Sequence, residues 1–305
     1  MRNSFIRSVL ELAKADRNVE IVTGDLGFGV LKPFWEAVPD QFVNAGIAEQ
    51  NMTSMAAGMS LEGKTVFTYS IGNFPTLRCL EQIRNDCAYH DANVKVVCVG
   101  GGFTYGSLGM SHHATEDLAV MRSLPNVVVF APADRVEAAA VAKAAAEYPG
   151  TCYIRLGRGG EQVVRESIVD FQIGKAIPVR KGSRVAIFLT GDIYGEVAQA
   201  VELLEREGIE PTVYTFPTVK PMDTRTVREC AAEHDLIVTV EEHTVVGGFG
   251  SAVAEAMAEA SAGARLLRLG IPDSYCPDVG DQRHLRRKYG LCGDQIAGRI
   301  LKELA

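Results

Sequence analysis

The residues of this 305-residue chain that could do chemistry fall in a few short segments. In Asn44-Ala45-Gly46-Ile47-Ala48-Glu49-Gln50-Asn51-Met52 a glutamate opens a small-residue helix just after a glycine. A carboxylate there complements the helix dipole, and it can also share a proton with a ligand. Ahead of it, Thr23-Gly24-Asp25-Leu26 has the form of an Asx turn at a strand end. Tyr69-Ser70-Ile71-Gly72-Asn73-Phe74-Pro75-Thr76-Leu77-Arg78 carries aromatic rings that could stack on a flat ligand or fill a core, with Arg78 within reach of Glu81 on a helix surface. Gly100-Gly101-Gly102 then leads to His112-His113 and Glu116-Asp117. Glycines after a strand let backbone approach a ligand, but the spacing and lysine of a phosphate loop are absent. Adjacent histidines rarely converge on one metal ion, whereas one histidine suits proton transfer near neutral pH. In Tyr153-Ile154-Arg155-Leu156-Gly157-Arg158-Gly159 a guanidinium at a strand end suits a phosphate or another oxyanion, Arg158 ahead of Arg155.

Taken in order, these segments resemble the transketolase and deoxyxylulose-phosphate synthase superfamily, whose members use thiamine diphosphate. Residues 44–52 resemble its G-I-x-E-[QH] region and residues 23–26 its S-A-D-L turn. The resemblance implies that Glu49 is catalytic. It would bond N1′ of the aminopyrimidine so that the 4′-imino nitrogen can take the proton from thiazolium C2, with Ile47 and its neighbours as the shield. Asp25 would then lie near the thiazolium, and Leu26 would prop the cofactor into its bent shape. Residues 69–78 are similar to Y-S-T-F-x-x-R, which assigns Tyr69, Phe74 and Arg78 to the cofactor, Phe74 as the ring platform. Here residues are inserted between Tyr and Phe, and the Phe–Arg spacing is one residue longer. The histidine stretch resembles D-G-x-[ST]-[HQ]-[QH], which implies that His112 is catalytic and cofactor-facing and that His113 meets the substrate. The substrate-contacting aspartate of that motif falls at Leu108, which leaves room for a donor or acceptor other than a common ketose phosphate. Arg158 corresponds to the arginine that grips the acceptor's phosphate. Two further stretches extend the likeness over nearly the whole chain. Residues 216–223 resemble P-x-T-[IV]-K-P-[LM]-D, and residues 241–250 resemble E-[DE]-H-x-x-x-G-G-[FIL]-G. The glycines of the latter start a helix, a geometry that suggests anion binding.

Positioning these groups requires strands that alternate with helices. Apolar runs mark strands at 19–23, 64–68, 94–99, 127–131 and 151–156, with helical spacing at 48–61, 76–89 and 134–147. Asp134 with Glu137 three residues on forms a capping-box pattern. The rhythm lapses over 163–182, a linker, and resumes with strands at 185–190, 212–216, 236–240 and 265–269 and an amphipathic helix at 196–207. The expected fold class is α/β, with two open, mostly parallel sheets and helices on both faces. By the resemblance, residues 1–162 are a pyrimidine-binding domain and residues 183–305 a transketolase C-terminal domain.

Bulk properties narrow the function. A net charge of −7 with scattered Lys and Arg excludes a phosphate-backbone binder, so no nucleic acid is expected. No apolar stretch approaches the ~20 residues of a spanning helix, and no secretory leader is visible, so no membrane is expected. Seven scattered cysteines without a CxxC pair suggest neither zinc nor disulfides and fit a reducing cytoplasm. The family holds the cofactor's Mg²⁺ through a Gly-Asp-Gly motif, which this sequence lacks. The expected metal ligands therefore lie on a partner, an N-terminal transketolase subunit, in an α2β2 heterotetramer. The reading implied is a split transketolase that moves a two-carbon ketol unit from a ketose (phosphate) to an aldose (phosphate). The alternatives are the beta subunit of a 2-oxo-acid dehydrogenase or a deoxyxylulose-phosphate-synthase-like enzyme, and a non-catalytic paralogue. Leu108 favours the paralogue, and the presence of Glu49 argues against it.

Overall fold

The computed structural model describes residues 1–168, 170–260 and 263–305; residue 169, inside the expected linker, lies outside the described residues. The first half forms β1 (Val19–Thr23), β2 (Phe42–Asn44), β3 (Thr65–Ile71), β4 (Val94–Val99), β5 (Val127–Phe130) and β6 (Thr151–Leu156). Around them lie α1 (Arg2–Ala15), α2 (Phe28–Ala37), α3 (Glu49–Leu61), α4 (Leu80–Gln82), α5 (Asp117–Ser123) and α6 (Arg135–Glu147). These strands run parallel in the order β5-β6-β4-β3-β1-β2. Strands β1, β4, β5 and β6 are buried along their whole length, as befits a sheet with helices on both faces.

The second half forms β7 (Ile177–Arg180), β8 (Val185–Thr190), α7 (Tyr194–Arg206), β9 (Thr212–Thr215), β10 (Thr218–Lys220) and α8 (Thr224–Glu233). It continues with β11 (Leu236–Thr244), α9 (Phe249–Glu259), β12 (Arg265–Ile271), α10 (Gln282–Lys288) and α11 (Gly293–Leu304). Its sheet has the order β12-β11-β8-β9-β7, parallel except for β7 on β9. Strand β7 forms inside the stretch expected as linker.

Strand β10 leaves its own domain. It pairs antiparallel with β5, Thr218 opposite Phe130 and Lys220 opposite Val129, and so closes one edge of the first sheet. The signature at 216–223 is therefore a crossover. Ala131 N–H donates to the Pro217 carbonyl at 2.9 Å, and Lys220 Nζ donates to the Leu124 carbonyl. Asp223 then caps α8, accepting from Thr226 N–H at 3.1 Å. The core is continuous across this crossover, with Val129, Tyr153, Phe188, Phe216 and Phe249 in one cluster.

Helix α6 begins as its capping pattern requires. Asp134 accepts from the Val136 and Glu137 amides at 2.8 Å, and Glu137 reaches back to the Ala133 amide at 2.7 Å, one residue beyond the usual partner. Helices α1 and α2 have no counterpart among the elements expected from the sequence. Helix α1 buries Phe5, Ile6, Val9, Leu10 and Ala13 in the same cluster as Ala138, Val141 and Ala142 of α6. Helix α2 contains Pro33, a residue that argues against helix. The expected single helix at 76–89 is instead a 3₁₀ turn (Leu77–Cys79), α4 and a π-helical segment (Ile83–Ala88).

A buried polar junction locks the domains together. Tyr153 Oη donates to Asp117 Oδ2 at 2.6 Å, and Arg155 Nε lies 3.1 Å from the same oxygen. Arg155 Nη2 donates to the Ala114 and Glu242 carbonyls, each at 2.8 Å. Glu242 accepts from Phe103 N–H at 2.5 Å and from Arg286 Nε. Ala119 N–H donates to His243 Nε2 at 3.3 Å, so the ring proton sits on Nδ1 and is donated to the Thr244 carbonyl at 2.8 Å. Burial pushes the His243 pKa down to about 4, against the upward pull of Asp117. The helix start expected to bind an anion is already filled. The Glu241 carboxylate accepts from the Phe249 and Gly250 amides at 2.7 Å, and burial pushes its pKa up to about 7. The glycine run at 100–102 has the same origin. A Cβ at Gly100 would strike Tyr105, at Gly101 Arg155, and at Gly102 Glu242. These glycines admit protein side chains, where the sequence had suggested ligand approach.

The shared core and the buried histidine each have a measurable consequence. Phe216→Ala, whose ring lies 5.0 Å from Phe188 and 5.1 Å from Phe249, should cost about 3–5 kcal/mol in denaturant unfolding, within one transition for both domains. Two separated transitions would contradict the shared core. An unfolded histidine takes up a proton near 6.5 but His243 only near 4, so the stability it contributes above pH 6.5 is lost as pH falls toward 4. The stability difference between the protein and its His243→Gln variant should therefore shrink over that window, by at most about 3 kcal/mol. A difference independent of pH would exclude this.

Candidate functional site

The site begins where β1 ends. Thr23 Oγ1 donates to the Leu26 carbonyl at 3.0 Å and to the Tyr69 carbonyl at 3.2 Å, which shapes the turn. Asp25 takes a left-handed conformation with φ 57°, and the side chain of Asn44 holds it. Asn44 Oδ1 accepts from Asp25 N–H at 3.1 Å and from Gly46 N–H at 3.0 Å, while its Nδ2 donates to Asp25 Oδ1 at 2.9 Å. This staple joins the ends of β1 and β2 and aims the chain into α3, whose first residue is Glu49. A Cβ at Gly24 would lie only 3.3 Å from Glu49 Cγ, so the glycine makes room for the carboxylate stem.

Glu49 has a side chain only 3% exposed, and its Oε2 accepts from Arg78 Nη1 at 2.7 Å. The same guanidinium lies 4.6 Å above the centre of the Phe74 ring. Phe74 in turn meets the His112 ring edge-on, centroids 5.2 Å apart. Asn73 Nδ2 donates to the His113 carbonyl at 2.5 Å and ties the two loops together. Glu49, Arg78, Phe74 and His112 thus form one contiguous group. It lies beyond the C-terminal ends of parallel strands, where open α/β sheets place ligands.

Other expected residues sit differently. Ile47 is 79% exposed and does not shield Glu49; Arg78 covers it instead, and Arg78 does not pair with Glu81. Tyr69 is buried beneath the turn, where a Cβ at Gly27 would lie 2.9 Å from its ring, so it supports the turn from the core and offers no face to a ligand. His113 is buried with its ring edge-on to Phe103, centroids 5.1 Å apart, and burial lowers its pKa; it does not face the site as the substrate contact expected of it would. Asp25 is exposed and Leu26 half-buried at the rim. Arg158 is exposed, 5.8 Å from the Tyr105 ring, while Arg155 is buried in the domain junction. Leu108 is 56% exposed. Asn44 and Asn73 were not singled out by sequence reasoning. An Asn at the end of a strand, two residues before a glycine, was the available signal for the first. Among the described residues no group of His, Cys, Asp and Glu could hold a metal ion, and no helix is long and apolar enough to cross a membrane.

Comparison with known proteins identifies the family. Residues 1–160 match the transketolase pyrimidine-binding domain, and residues 174–296 match the transketolase C-terminal domain. The chain is 38% identical to a putative transketolase C-terminal section of Methanocaldococcus jannaschii, covering 100% of this chain and 96% of the relative. It is 36% identical to one subunit of the apulose-4-phosphate transketolase of Phocaeicola vulgatus, over 99% of this chain and 96% of that one. A solved split-gene transketolase, described as an inactive β4 tetramer, superposes with a TM-score of 0.88 at 36% identity, over 99% of this chain and 96% of the other. The chain therefore belongs to the transketolase family and matches the split-type C-terminal subunit across both of its domains.

Proposed function

We propose that the chain is the pyrimidine-holding subunit of a two-chain transketolase that moves a two-carbon ketol unit from a ketose (phosphate) to an aldose (phosphate). The observation that carries this reading is the grouping of one buried carboxylate, Glu49, with one aromatic ring, Phe74, through Arg78, and of that ring with His112. The family depends on thiamine diphosphate, and the residues present fit its aminopyrimidine half. That ring needs a carboxylate at one nitrogen and an apolar face to lie on. Glu49 supplies the first, with an Oε1 that has no hydrogen-bond partner among the described residues, and Phe74 supplies the second. When bound, the cofactor supplies an acidic carbon that adds to a ketose carbonyl.

In this reading Glu49 holds or releases a proton at the ring nitrogen, and its burial keeps competing water away. Phe74 fixes the plane of the ring. Asp25 and Leu26 flank the thiazolium side. His112 moves a proton at the substrate oxygen, and Arg158 takes the anionic end of the substrate. The Leu108 side chain cannot hydrogen-bond a sugar hydroxyl, so neither donor nor acceptor is read there by a carboxylate. The diphosphate and its Mg²⁺ belong to an N-terminal partner subunit, in an α2β2 assembly. The 36%-identical relative is named as one subunit of its transketolase, and the solved relative is an inactive β4 tetramer; both support the need for such a partner. The free, buried cysteines support a reducing compartment, the cytoplasm.

With the partner present, Glu49→Ala should lower kcat by roughly 10²–10⁴-fold in a ketol-transfer assay, and this chain alone should show none. Undiminished turnover of the variant would defeat the assignment. Arg158→Ala should raise KM for a phosphorylated acceptor roughly tenfold to a hundredfold with little change in kcat, because a charged hydrogen bond is lost from binding. An unchanged KM would remove Arg158 from the substrate site.

A further inference from the structure

The loop that carries His112 is anchored from the second domain. Phe103 lies between β4 and α5 of the first domain, yet its fully buried ring belongs to the core cluster of the second, together with Val240, Ile271 and Leu285. Tyr289, at the end of α10, stacks on that ring, with centroids 5.4 Å apart and planes 15° from parallel. On its other side Phe103 meets His113 edge-on at 5.1 Å. His112, one residue earlier, turns instead to Phe74, which it meets edge-on at 5.2 Å. Three rings, Tyr289, Phe103 and His113, thus run from α10 to the residue beside His112.

We infer that this row of rings positions the His112 imidazole, so that the second domain sets the geometry of the candidate site. As a statement about activity, this rests on the reading of His112 as a proton-moving group given above. Contacts along the same loop agree. Gly280 N–H donates to the Gly106 carbonyl at 3.3 Å, and Gln282 Nε2 donates to Thr104 Oγ1 at 3.3 Å. Gly106 has no room for a side chain, since a Cβ there would lie 2.5 Å from Leu285 Cδ1 and 2.7 Å from the Gly280 carbonyl oxygen. From the first domain, the Asn73 bond holds the His113 carbonyl, so His113 is gripped from both sides. Stacked and edge-on ring pairs prefer defined angles, so each ring constrains the orientation of the next. A proton-moving group displaced by about 1 Å loses much of its effect on rate. Tyr289 and Phe103 act through His112 and are positioning residues.

The test uses Tyr289→Leu, which keeps an apolar side chain but removes the flat ring, and Tyr289→Phe, which keeps the ring and removes the hydroxyl. The first readout is the His112 imidazole in the full chain by NMR, assigned with His112→Gln. Tyr289→Leu should move its ring-proton signals, because their placement against the Phe74 ring changes, and Tyr289→Phe should leave them in place. The second readout is ketol transfer with the partner subunit present. Tyr289→Leu should lower kcat about tenfold with KM changed by less than about twofold, and Tyr289→Phe should retain kcat. In a His112→Ala background the Tyr289→Leu change should cost nothing further, because its effect passes through that imidazole. Phe103→Leu, which breaks the row at its middle ring, carries the same expectations should Tyr289→Leu not fold. His112 signals that stay in place in Tyr289→Leu would overturn the inference. So would full kcat in that variant while His112→Ala is impaired, or a loss that repeats undiminished in the His112→Ala background. If the signals move but His112→Ala turns over normally, the row of rings still positions the imidazole, and the proton-moving role given to His112 falls instead.

Discussion

The guanidinium of Arg155 is the constraint on which the rest of the molecule depends. A buried cation is tolerated only when charge and hydrogen bonds surround it, and here both domains supply them. Asp117 provides the counter-charge, and the carbonyls of Ala114 and Glu242 take its protons. The partners come from the loop after β4, the start of α5 and the end of β11. Satisfying one cation therefore fixes the angle between the domains and the path of the loop that carries His112. The three glycines at 100–102 follow from the same requirement, since Tyr105, Arg155 and Glu242 occupy the space that side chains would need.

The candidate site hangs from this frame by short, local ties. The Asn44 staple places Glu49, and the Asn73 bond to the His113 carbonyl places Phe74 beside His112. Each side chain comes from a different strand end, so its position is set by the sheet rather than by its own loop. Arg78 bridges the carboxylate and the ring, and the imidazole meets that ring edge-on. Pre-organisation of this kind reduces the ordering cost of binding.

Much of this was legible in the sequence, for identifiable reasons. Glu49 stands out because a carboxylate after Gly46 at a helix start is a local pattern. The parallel strands stand out because burial on both faces removes polar residues from them. Asp134 and Glu137 announced α6 because capping is decided within four residues. What escaped was decided at long range. Tyr69 and His113 carry plausible chemistry, but the neighbours that bury them come from distant segments. The glycines beside Glu241 resemble an anion site, and only the fold shows that a carboxylate eight residues upstream fills it. Helix α1 is not among the expected elements, although its apolar residues recur at helical spacing; α6 covers that face. Strand β10 is too short to declare which sheet it joins.

That last strand orders events on the ribosome. Until Thr218–Lys220 emerges, β5 is the bare margin of a finished sheet, with apolar residues and unpaired amides facing outward. Such margins recruit other chains. The nascent first domain can assemble most of itself but cannot seal itself, and its protective strip is encoded beyond β8 and β9. The second domain thus supplies the strand that closes the first, and a chain cut off before that strand would leave the β5 edge exposed.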